Sequence, residues 1–132
     1  MKLTILIFLI SSSLLGCSAA GVIHSSDPNV KMNQALELLK YGRQIPAEKL
    51  IKDALISFKE SSDFEGGRYA AFQLGMLYAN QGRITEACSN YASSNQYHVK
   101  AVVKDPDKKY YVMEPFNDWN EMIVALKNKA GC

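Results

Sequence analysis

A chain of 132 residues, 48% hydrophobic and 21% charged, can bury one small core but not two. Its formal net charge of +2 comes from 15 basic and 13 acidic residues with no basic stripe or block, so nothing points to nucleic acid as a partner.

The first sixteen residues read as a targeting segment outside the fold. Lys2 gives a positive start, Leu3 to Leu15 is an apolar run broken only by Thr4 and three serines, and Gly16 precedes Cys17. A spanning helix needs about 20 apolar residues, so this run is too short for one. Leu14-Leu15-Gly16-Cys17 resembles a bacterial lipobox, although Leu15 stands where a small residue is usual. The resemblance implies cleavage before Cys17, with lipid on its thiol and new amino group. Ser18 in place of Asp implies delivery to the outer membrane, facing the periplasm. Several acyl chains, at about 0.8 kcal/mol per buried CH₂, would make that anchor permanent. The alternative is an ordinary cleaved signal in which Cys17 is incidental. Residues 17–27 are small and polar, a tether to a domain over 28–132. His24 lies in this tether without neighbouring metal ligands, which reads as solvated linker.

Asp27-Pro28 is a helix start, with Asp27 as N-cap and proline at the first helical position. Met32, Ala35, Leu36 and Leu39 then form one apolar stripe. Pro46 is expected to end this helix, with Gly42 either its left-handed terminus or a close contact inside it. A second helix is predicted from Pro46 to about Glu60, facing inward with Ala47, Leu50, Ile51, Ala54, Leu55 and Phe58. Ser62-Asp63 caps a third helix reaching Asn80, although Gly66-Gly67 weakens its first turn by about 1 kcal/mol per glycine. Gly82 closes it, and Thr85-Glu86 opens a fourth. Asn95 to Lys104, with Val99, Val102 and Val103, fits a further helical turn or a strand equally. Asp105-Pro106-Asp107 is a turn, and Lys108 to Met113 is an extended arm lying on the helices. Asp118 with Glu121 forms a capping pattern for a final helix presenting Trp119, Met122, Ile123 and Leu126.

Around the Gly82-Arg83 turn, Ala71, Leu74, Gly75 and Tyr78 on one side and Ala87 and Tyr91 on the other make the pattern L-G-x-x-Y followed by A-x-x-x-Y. It predicts a helical hairpin in which Gly75 and Ala87 let two backbones approach while Leu74, Tyr78 and Tyr91 fill the surroundings. This pattern resembles the tetratricopeptide repeat and its Sel-like relatives. A degenerate first unit overlies it at 33 residues, placing Gly42 on Gly75, Ala54 on Ala87 and Phe58 on Tyr91. The resemblance implies an all-α fold: two stacked antiparallel hairpins, an irregular arm and a C-terminal capping helix. It also implies a concave protein-binding groove lined by Tyr69, Phe72, Met76 and Asn80. A helix apolar on two sides is either buried on both or offers one to a partner, so the arm or the Trp119 helix is the competing occupant of that groove.

Cys88 and Cys132 remain as an even pair in an oxidising compartment, and a disulfide between them would staple the last helix to the hairpin. The alternative is a small buried Cys88 and a frayed terminal thiol. No nucleophile elbow or phosphate loop occurs, and a catalytic histidine would have to be His98. Asp105 with Asp107 and Asp118 with Glu121 read as turn and cap chemistry. The expectation is therefore not an enzyme but a scaffold, with no cofactor, metal or small-molecule substrate. By resemblance it is an outer-membrane lipoprotein that binds an envelope protein, as an assembly or secretion accessory. The alternative is a protective immunity or exclusion lipoprotein occluding a toxin or partner.

Overall fold

The computed structural model describes residues 24–132. The expected targeting segment and the expected lipid-bearing Cys17 lie outside the described residues. Five helices follow in order: α1 (Pro28–Lys40), α2 (Gln44–Glu60), α3 (Phe64–Asn80), α4 (Ile84–Lys104) and α5 (Trp119–Ala130). No strand occurs among the described residues, and each helix packs chiefly on its neighbours in the chain. None of these helices is long and apolar enough to cross a membrane.

Three helix starts follow local chemistry. The Asn29 amide donates to the Asp27 carboxylate at 2.8 Å, and Pro28 opens α1 where no amide is needed. Asp63 accepts from the Gly66 amide and Asp118 from the Glu121 amide, each at 2.9 Å. Glu121 returns a bond by accepting from the Asn117 amide.

Pro46 does not end α1. That helix stops at Lys40, and Pro46 is the third residue of α2, within the first turn, where its missing donor leaves no bond unmade. Gly42 is the terminus, at φ +70°, a conformation that suits glycine. Ser62 and Gly82 repeat it at +55° and +71°. In all three turns the next amide (Arg43, Asp63, Arg83) donates at 2.9 Å to the carbonyl five residues earlier (Leu38, Phe58, Tyr78).

Equivalent turns therefore place Gly42 on Gly82, an offset of 40 residues that corrects the 33-residue overlay of Gly42 on Gly75. Size class and apolar character do not separate the two glycines, because Gly42 serves a turn and Gly75 a packing contact. In the new register Ala47 falls on Ala87, Ile51 on Tyr91 and Ala35 on Gly75, and all are buried. The larger ring at 91 goes with the smaller residue at 75.

The motif residues Ala71, Leu74, Tyr78, Ala87 and Tyr91 are all buried, but they serve two interfaces. Gly75 makes a socket for Tyr91 of α4: a Cβ there would lie 2.7 Å from the ring. Tyr78 turns to α2, its hydroxyl donating to Glu48 at 2.8 Å. Glu48 also pairs with Lys52 at 2.6 Å and Arg83 at 3.2 Å, and the Lys52 bond above all holds its carboxyl below the usual range. Gly66 and Gly67 are sockets as well, for Phe58 of α2 and Tyr97 of α4, which offsets their cost to the helix. Gly75→Ala is expected to destabilise by about 1–3 kcal/mol through overpacking, read from denaturant midpoints. Tyr91→Leu with Gly75→Ala should recover part of that loss, because the shorter side chain makes room for the methyl.

α4 runs unbroken to Lys104, so residues 95–104 are helix and not strand. The arm over 105–118 has no regular structure, and Val112, Met113 and Phe116 pack it onto the core. α5 buries Trp119, Met122 and Ile123. The Cys88 and Cys132 sulfurs are at bonded distance, 2.04 Å, tying the start of α4 to the end of α5.

Candidate functional site

The arm and α5 pack over much of the expected groove. Phe72 is only 5% exposed, with Trp119 of α5 at 5.6 Å and Tyr91 at 6.3 Å between ring centroids. Met76 is partly buried against the core, and Leu126 and Ala130 of α5 border a hollow with Met76 and Asn80. Only Tyr69 and Asn80 retain substantial exposure. Tyr69, Phe72, Met76 and Asn80 are thus not an open binding stripe. A 17-residue helix apolar on two sides has its second side covered by the arm and α5.

A cleft of about 540 Å³ opens between α3, the arm and the start of α5. Tyr69 and Phe72 from α3, Tyr111 and Met113 from the arm, and Trp119 and Met122 from α5 form its apolar walls. Glu65, Arg68 and Gln73 supply its polar groups. Tyr111 stands 75% exposed at the rim.

Arg68 is the feature that sequence reasoning missed. It is 5% exposed, with its guanidinium carbon 4.4 Å from the Trp119 ring and 4.5 Å from the Tyr110 ring. Its Nε and Nη1 are buried without a hydrogen-bond partner. Burial pushes its pKa down while the Glu65 charge opposes that shift, yet a guanidinium keeps its proton. Glu65 is engaged elsewhere, in an ion pair with Lys108 of the arm. The backbone here is fixed by Ser94 of α4, whose buried hydroxyl donates to the Arg68 carbonyl at 2.7 Å.

His98 of α4 completes the aromatic cluster. It stacks on Trp119 at 5.1 Å and meets Tyr110 edge-on at 5.3 Å. Its Nδ1 and the Trp119 Nε1 are also buried and unpartnered. Burial first, and the Arg68 charge second, hold the His98 pKa below the ordinary value, with Asp118 opposing weakly. The unfolded chain takes up this proton near pH 6.5 and the folded one only at lower pH, so stability is full above about 6.5 and falls as pH drops below it. The thermal midpoint is expected to decline as pH falls below about 6.5, and His98→Phe to flatten that decline. An NMR titration placing the His98 midpoint at or above 6.5 would contradict it.

Among the described residues no three His, Cys, Asp or Glu side chains converge as metal ligands. The site sets one desolvated cation beside aromatic and thioether walls. No protein-family model, no curated protein and no solved structure matches the chain.

Proposed function

We infer that this chain is a lipid-anchored, non-enzymatic helical module that binds another envelope protein, held at the outer membrane through Cys17 and facing the periplasm. The observation that carries the reading is the composition of the open cleft. Tyr, Trp, Met and Arg are the residue types enriched at the cores of protein interfaces, and here Tyr69, Tyr111, Trp119, Met113 and Arg68 meet in one concavity. We also read α1–α2 and α3–α4 as two stacked helical hairpins, 40 residues apart where a tetratricopeptide unit has about 34. Their turns are joined by the Gln81 amide donating to Gln44 at 2.9 Å and by Arg83 reaching Glu48. Arm and α5 cap the array and shape the binding surface.

A photo-crosslinking residue at Tyr111, in the full lipidated chain within its envelope, is expected to trap one discrete partner. The same residue at Ile45, 85% exposed in the first turn of α2, is the control. Equal adducts from both positions, or none from Tyr111, would contradict the reading. An accessory role and a protective role use the same cleft and separate by whether the trapped protein is envelope machinery or a toxin. Cys17→Ala should abolish labelling by palmitate and release the protein from membranes.

A further inference from the structure

Arg68 presents a physical conflict that the fold alone does not resolve. Its charge is taken out of water, and Trp119 and Tyr110 stabilise it as π-systems without supplying a hydrogen-bond acceptor. Two of its nitrogens are left with donors unmet. The nearby carboxylate, Glu65, is drawn to Lys108. Burying an unsatisfied charged donor is costly, and such a group calls for an explanation. Arg68 also lines the cleft, so this charge borders an open space of ligand size.

We propose that Arg68 is the anchor of a carboxylate-binding site, and that its ligand is the free C-terminal carboxylate of a partner polypeptide ending in an apolar residue. This rests on the protein-binding reading above and specifies what the cleft recognises. A guanidinium matches a carboxylate better than it matches a neutral acceptor, because a planar set of N–H donors meets two oxygens sharing one charge. A chain terminus carries its last side chain on the carbon next to the carboxylate. That places an apolar group against Tyr69, Met113 and Met122 while the charge meets Arg68. Gln73 on the same wall has an amide able to bond the terminal peptide unit. Tyr111 also lines the cleft and leaves an exposed ring beside the bound segment.

The chain has a single tryptophan, Trp119, so its fluorescence reports on the cleft without a label. The full-length protein in detergent is titrated with short peptides ending in Leu or Phe, as free acids and as C-terminal amides. A third set has an internal Glu and an amidated end. Free acids are expected to saturate the signal, with amides and internal-Glu peptides at least about tenfold weaker, the loss expected when a charge-assisted bond is removed. Inorganic phosphate at matched ionic strength should not compete. Arg68→Met should remove binding of the acids, and Arg68→Lys should weaken it by losing the planar donor set. Acids and amides binding equally to the native protein, or no binding by either, would overturn the proposal whether or not the variants fold. Equal binding by internal-Glu peptides would overturn the terminal assignment. If Tyr111 still traps its partner while free acids fail, the protein-binding reading survives and this one does not; peptide binding without a trapped partner upholds the carboxylate site and overturns the envelope partner.

Discussion

Phe72→Asp is expected to unfold the helical domain, not to leave it folded with one surface silenced. The side chain is almost fully buried, with Trp119 and Tyr91 in ring contact and the arm packed on the same core. Truncating such a phenylalanine costs about 3–5 kcal/mol before any charge is considered. A carboxylate in its place adds the cost of an unpaired buried ion, so the sum reaches the whole stability of a small domain. Far-ultraviolet circular dichroism at 25 °C should show the helical signal lost, and Phe72→Leu should retain it with a lowered midpoint. A fully helical Phe72→Asp protein, with unchanged stability, would mean that α5 and the arm do not cover α3 and that the groove is open.

Removing the Cys88–Cys132 bond has the second largest effect expected. The two residues are 44 apart, and on the loop-entropy account a closed loop of that length is stabilising by about 4 kcal/mol. The bond also fixes the far end of α5, whose packing on α4 is slighter than that of α3. Cys88→Ser with Cys132→Ser should therefore loosen α5 first. Trp119 emission should shift to the red at denaturant concentrations where circular dichroism still reports α1 to α4. Coincident transitions with an unchanged midpoint would show that α5 is held by packing alone.

The helices were legible where the determinant was local. Asp27-Pro28 and Asp118 with Glu121 place their caps by bonds spanning three residues or fewer, and the stripes on α2 and α5 follow a 3.6-residue period. Gly42 was harder, because turn glycines and packing glycines look alike in a sequence and Pro46 is a stop signal everywhere except a first turn. The valines of α4 have strand propensity, and only tertiary packing decides that the helix continues through them. The covering of α3 by Trp119 joins residues 47 positions apart, a distance at which periodicity carries no information. Arg68 gave no local sign at all. Its importance arises because Tyr110 and Trp119, from the arm and the last helix, arrive on a residue that otherwise reads as the polar side of a helical turn.

The arrangement most directly open to test is the closure of α3 by the C-terminal part with Arg68 set between rings. Proton NMR of the purified protein should show through-space contacts from the Trp119 indole to both the Phe72 ring and the Arg68 side-chain methylenes, the latter moved upfield by ring current. An indole without contacts to either residue, and Arg68 resonances at solvent-exposed positions, would contradict both the covered groove and the cation built into the cleft.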